Sequence, residues 1–236
     1  RFAVIYYDGK KQSVNHVSII PDYAVLEPSV LTTLPAYQKK CTVLDALCQG
    51  IESWWSIHST AESQDYSRQA VEMLADNIET YIFGTCDLHT AAHVMQAANL
   101  AGQAINITQT TAPHAFSYKL TSLYGLPHGH AVAVCLPDIW TYMLEHPQGC
   151  IDPRGEVYLQ GVFHNIAQAL HCRTAEEAAA YMRNLLSRMG MRQPSSPNRA
   201  EDLATLSASV NPIRLKNNPV ALDDNAIRNL YNRILQ

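Results

Sequence analysis

Long apolar runs are missing from this sequence. No uninterrupted stretch approaches the ~18 residues that a membrane helix requires, so a membrane partner is not expected. Charge of one sign is equally scarce: 17 basic side chains face 21 acidic ones, the net charge is −4, and no long Lys/Arg run occurs. Nucleic-acid binding, which demands a basic patch, is disfavoured. Cysteine is sparse, with six residues and no CxxC spacing. In a chain this long, that usage reads as reduced thiols of a cytoplasmic protein, not a disulfide framework. A glycine-rich phosphate-binding loop is lacking as well. The opening RFAVIYYDGKKQSV does not read as a signal peptide, because its apolar stretch is only six residues long and a turn follows.

What the chain does have suits a folded protein. Its 236 residues are 47% apolar and 16% charged, enough for one large domain or two small ones. Strand signals crowd the front. Residues 2–7 are β-branched and aromatic, Asp8-Gly9 is a turn, and residues 11–17 can return as a second strand. Residues 18–26 read as a further extended stretch, with Pro21 keeping it at an edge. The chain opens directly on this β-like run, as though something precedes it. Pro28 and Pro35 then bracket one short helical turn.

Helices follow. The apolar spacing predicts them over residues 42–56, 63–83, 88–107, 112–124, 128–146, 157–170, 175–189, 199–207 and 223–234. Gly125 is the expected C-cap of the fourth. Gly102, inside the third, costs roughly 1 kcal/mol of helix propensity, which suggests a packing reason for it.

Four side chains on these helices can converge. Asp45 and Gln49 lie at i and i+4, hence on one helix face. His114 falls on the first turn of a helix, and His128 on the first residues of the next. Each alone has a plain explanation: Asp45 as a charge favouring a helix start, Gln49 as a surface amide, the histidines as structural or exposed groups. Together they form a mixed oxygen and nitrogen set suited to Fe²⁺, Zn²⁺ or another divalent first-row ion. Cys86, His89 and His93 are a rival cluster, with an exposed polar helix start as the alternative reading. His130 points away from His128 on a helix, and His58 and His171 carry no pattern.

Further residues carry a resemblance: Asp45-Ala46-Leu47-x-x-Gly50-Ile51-Glu52, the AANLAGQAIN stretch at 97–106, His114, and Pro127-His128-Gly129-x-Ala131. On these the chain resembles the iron-containing (group III) alcohol dehydrogenases, over essentially its whole length. It covers only their C-terminal half and the end of the N-terminal half. The resemblance implies a mainly α fold, the C-terminal helical bundle domain of the dehydroquinate synthase-like/iron alcohol dehydrogenase fold, with a short β segment at the N-terminus. Residues 1–36 would be a remnant of the α/β nucleotide-binding domain, and 37–236 the all-helical metal-binding domain.

By position the implied metal ligands are Asp45, Gln49, His114 and His128, holding Fe²⁺ or alternatively Zn²⁺. Implied too is hydride transfer between NADH or NADPH and a small aldehyde or alcohol, by a protein that can pair as a homodimer. Lys11 matches a lysine near the cofactor, with a solvated hairpin lysine as the alternative. Gln49 stands where most members carry a histidine, and Tyr118 where many have another. A phenol at 118, one turn after His114, can bond the substrate oxygen or relay a proton, or simply close the pocket wall. Glu52 can orient a ligand, or be a buried hydrogen-bonding group only.

The wording ALCQGIESWWSIHST and TTAPHAFSY looks like the phosphonoacetaldehyde reductase branch. Lys119 and His130 are the nearest candidates to anchor a phosphonate. With the glycine-rich half missing, the chain alone is expected to bind dinucleotide poorly. The alternatives are another group III alcohol or polyol dehydrogenase, or a catalytically incomplete helical fragment acting as a binding module.

Overall fold

Proline and polar capping residues divide the chain into rods. The computed structural model describes residues 2–7, 10–210 and 212–236, with the backbone alone for 2–7, 10–13, 15, 213 and 214. Two strands, β1 (Phe2–Tyr7) and β2 (Lys10–Asn15), pair antiparallel with Phe2 opposite Asn15. Eleven helices follow among the described residues: α1 (Ser29–Thr32), α2 (Ala36–Trp55), α3 (Ala61–Phe83), α4 (Leu88–Thr108), α5 (Ala112–Tyr124), α6 (His128–Glu145), α7 (Glu156–Ala169), α8 (Ala175–Met189), α9 (Arg199–Ser209), α10 (Pro212–Leu215) and α11 (Asp224–Ile234). No helix among the described residues is long and apolar enough to cross a membrane.

The third extended stretch is not a strand. Residues Val17–Ile19 form a 3₁₀ turn, started by the His16 ring accepting the Ser18 N–H at 3.2 Å. A local side-chain acceptor offers the backbone a turn that competes with sheet pairing. The short helical turn between the prolines is α1. α10 carries too little apolar periodicity to be foreseen.

Capping fixes the long helices. Thr60 and Ser63 form a reciprocal capping box on α3, Asp87 caps α4 through the Thr90 N–H at 2.8 Å, and Thr174 caps α8. Gly125 ends α5 with φ +66°, a left-handed residue that glycine adopts without Cβ strain.

α2 lies at the centre, packed against α3, α4 and α6. Its start differs from expectation: it begins at Ala36, directly after Pro35, not at residue 42. Pro35 has no N–H to lose at a helix start, and its ring fixes φ for the turn that follows. Leu44, Leu47, Ile51 and Trp55 of α2 are fully buried, and Trp55 meets Trp140 of α6 edge-on at 5.4 Å between ring centroids. Each such side chain stabilises the fold by about 1.5–3 kcal/mol.

The packing reason inferred for Gly102 is absent: a Cβ placed there meets nothing within 4 Å. Gly102→Ala is therefore expected to raise stability by about 0.5–1 kcal/mol, through helix propensity and a less flexible unfolded chain. A urea unfolding curve reads this as a higher midpoint. A lower midpoint would mean that the position needs its bare backbone.

Candidate metal centre

Three helices meet at the proposed site because two of their starts are brought onto the middle of α2. Asp45 stands mid-helix in α2, so it does not serve the helix dipole at a start. Pro127 stops the preceding turn, and His128 is the first residue of α6. Gly129 makes the approach possible. A Cβ there would sit 2.0 Å from the Cys41 carbonyl oxygen and 2.9 Å from the Asp45 Cβ. The bare backbone of α6 thus rests on α2, and His128 is delivered beside Asp45.

The start of α5 is held in another way. Gln109, with φ +61°, turns the chain between α4 and α5 in a region that non-glycine residues rarely adopt. Neighbours over-determine that turn. The Thr108 hydroxyl donates to the Gln109 carbonyl at 2.8 Å, and the Asn217 amide donates to the Thr110 carbonyl at 3.1 Å. Thr111, the N-cap residue, makes no side-chain cap of its own. Instead Glu52, fully buried on α2, accepts the Thr111 N–H at 2.8 Å and the Thr111 hydroxyl at 3.0 Å. Its other oxygen pairs with His114 Nδ1, leaving Nε2 of that ring to face Asp45.

The resulting distances are short. Asp45 Oδ1 lies 3.5 Å from His114 Nε2 and 3.9 Å from His128 Nε2, and the two imidazole centroids are 5.2 Å apart. Among the described residues these three side chains form a group whose candidate ligand atoms all fall within 4.8 Å of one another. Asp45 Oδ1 is buried and has no hydrogen-bond partner, although buried polar atoms are nearly always paired. A divalent cation would satisfy it, and a carboxylate with two imidazoles suits Fe²⁺ or Zn²⁺. Burial works against the Asp45 carboxylate, yet the two imidazoles and Gln49 hold it below the usual range. Burial likewise opposes charge on His114, but Glu52 and then Asp45 outweigh it and push that pKa up to about 9.

The other sequence candidates divide. Gln49 donates its amide N–H to Asp45 Oδ2 at 3.1 Å, which places it at the rim of the same group. Tyr118 stacks on His128, rings nearly parallel at 5.9 Å. The Lys11 side chain lies outside the described residues. His130 bonds through both ring nitrogens, to Tyr37 Oη at 2.8 Å and to the Arg192 carbonyl at 2.9 Å, so its phosphonate-anchor role is withdrawn. Lys119 is half-buried on α5. The rival cluster fails. Cys86 precedes the α4 cap, its thiol turned to the Asp87 carbonyl, while the His89 and His93 rings pack on each other at 4.2 Å. His171 pairs with Asp76 at the surface, 2.7 Å away.

Sequence reasoning missed Thr111, Trp55 and Asn217 as supports. One signal was present for the group: a carboxylate, Glu52, inside the apolar run IESWW.

Residues 40–235 match the Fe-containing alcohol dehydrogenase family, C-terminal. A phosphonoacetaldehyde reductase of Streptomyces viridochromogenes is 33% identical over 225 residues, spanning 94% of this chain and 56% of that protein. The fold is shared with the iron-containing alcohol dehydrogenase of Thermococcus thioreducens, at TM-score 0.87 and 22% identity, covering 99% of this chain and 60% of that one. It is shared too with a sulfoacetaldehyde reductase of Bifidobacterium kashiwanohense solved with NAD⁺, at TM-score 0.83 and 24% identity, covering 96% and 57%. The chain thus spans little more than half the length of these relatives. It belongs to the Fe-containing alcohol dehydrogenase family and carries the C-terminal helical domain of that family.

Proposed function

We propose that this chain is the metal-binding part of a nicotinamide-dependent reductase of small aldehydes, acting on phosphonoacetaldehyde to give 2-hydroxyethylphosphonate. The observation that carries the reading is the convergence of Asp45, His114 and His128 around an unpartnered, buried carboxylate oxygen. Asp45, His114 and His128 would hold the ion, Fe²⁺ in preference to Zn²⁺, with Gln49 as the fourth and weakest donor. A divalent ion bound there supplies a Lewis acid that polarises a carbonyl oxygen.

The remaining work falls to the chain itself. Tyr118, held flat against His128, donates from its phenol oxygen to the substrate oxygen and gives up its proton as the alcohol forms. Residues 1–36 belong to a nucleotide-binding half that carries NADH or NADPH, with Lys11 as a cofactor-binding residue. The protein works in the cytoplasm as a homodimer. What supports the substrate class is the 33% identical relative, a phosphonoacetaldehyde reductase, named for an acetaldehyde bearing an anionic group.

The test is an assay of the full-length protein, loaded with Fe²⁺ or Zn²⁺, on phosphonoacetaldehyde, sulfoacetaldehyde, propionaldehyde and 1,3-propanediol with both cofactors. A kcat/KM for phosphonoacetaldehyde at least about tenfold above propionaldehyde is expected, roughly 1.4 kcal/mol of discrimination. Preference for the neutral aldehyde or the diol would overturn the substrate. Absence of any turnover would overturn the reductase.

A further inference from the structure

The Glu52 carboxylate does two things at once, and together they fix where the proton of one imidazole resides. Glu52 Oε2 receives three donors: the Thr111 N–H at 2.8 Å, the Thr111 hydroxyl at 3.0 Å, and the His114 N–H at 3.5 Å. The direction of the hydroxyl is settled, because the Trp55 indole N–H donates to the same oxygen of Thr111 at 2.8 Å and an indole only donates. Oε2 is thus committed to accepting. Oε1 faces His114 Nδ1, and a carboxylate there accepts as well. The ring must therefore carry its proton on Nδ1.

We propose that Glu52 is the positioning residue that selects the Nδ1–H form of His114, so that the Nε2 lone pair is directed at Asp45 and the ion. This rests on the metal-site reading above and adds to it a reason for one buried negative charge. A helix cap alone would need a single acceptor oxygen, and a neutral amide supplies that. The tautomer requires two.

Glu52→Gln separates the roles. The amide oxygen stays at the α5 start, where the Thr111 and His114 N–H groups are directed at it. The NH₂ group then faces His114 Nδ1 and can be met only by a lone pair. The imidazole proton moves to Nε2, the atom that would bind the ion. The cap is preserved and the ligand is lost.

The experiment is competition for Zn²⁺ between the full chain and a chromophoric chelator, beside a melting curve of each metal-free protein. Glu52→Gln is expected to lose roughly 10–100-fold in Zn²⁺ affinity, the usual range for groups that orient ligands, while its metal-free form still melts cooperatively as a folded protein. Binding within twofold of the unsubstituted protein would overturn the proposal. His114→Ala is the control. If the unsubstituted chain takes up no Zn²⁺, or His114→Ala binds as well as it does, the metal site itself is wrong and this inference falls with it. Retained binding by Glu52→Gln alone removes only the role of Glu52. Should that variant fail to fold, ¹⁵N NMR of the unsubstituted Zn²⁺ form decides. A proton on His114 Nδ1 supports the assignment, and one on Nε2 refutes it.

Discussion

Gly129→Ala is expected to lower the unfolding free energy by about 3 kcal/mol or more, the upper end of what overpacking costs. The reason is what the added methyl would meet. Its closest neighbour is a backbone carbonyl oxygen of α2, at 2.0 Å, not the yielding end of a side chain. That carbonyl belongs to the first turns of α2, a helix also packed against α3 and α4, so α2 is not free to retreat. α6 must move instead, and His128 moves with it. Differential scanning calorimetry should show a fall of roughly 6–12 °C, taking about 2–4 °C per kcal/mol for a chain of this size. The stabilisation gained on adding Zn²⁺ should vanish in the same variant. A melting point within about 2 °C of the parent would mean that the two helices have more freedom than their spacing suggests.

Gly129 also shows what could be read from the sequence and what could not. As a letter in PHG it marks a motif, and only the crossing of two helices shows why no other residue fits. The long helices were legible, since apolar periodicity and caps are local: α5 and α8 match their expected bounds, and the other long helices differ by one or two residues, apart from the start of α2. That start was missed because residues 37–40, Tyr-Gln-Lys-Lys, break the apolar stripe although nothing stops the helix. The stretch around Ser18 failed for the opposite reason, a β-like composition overruled by one side-chain hydrogen bond.

Site residues were legible where the chemistry is carried by residue type. Asp45, His114 and His128 stood out as ligand types at helix starts and on a shared face, and they do come together. The supports were not. Thr111, Asn217 and the strained Gln109 act through hydrogen bonds that reach across many residues of sequence, 59 positions between Glu52 and Thr111 and 107 between Thr110 and Asn217. No local pattern encodes such a pairing. The Gly102 expectation failed likewise, because a packing reason is a statement about a neighbour that the helix itself cannot supply.

Asp45→Asn should have the largest effect on the proposed ion. Zinc sites built from four ligands bind with about 10–16 kcal/mol at neutral pH, or roughly 3–4 kcal/mol per ligand. Removing one therefore costs about 10²–10³ in affinity. The expected loss lies at the top of that range, for two reasons specific to Asp45. It is the one anionic ligand of the set, so the amide gives up the charge attraction as well as the donor. It also faces both imidazoles, at 3.5 and 3.9 Å, so no other side chain of the group can take over its position. Gln49→Ala should lose much less, because a neutral amide is the weaker donor and its N–H is engaged with Asp45. The fold itself should survive Asp45→Asn, since the amide is nearly isosteric and His114 keeps its pairing with Glu52. A thermal-shift titration reads all of this together. An ion at 100 times its Kd adds about 2.7 kcal/mol to the unsubstituted chain. At that same concentration Asp45→Asn should gain almost nothing, and Gln49→Ala should keep part of the gain. If Gln49→Ala proves the more damaging of the two, the amide and not the carboxylate is the principal oxygen ligand.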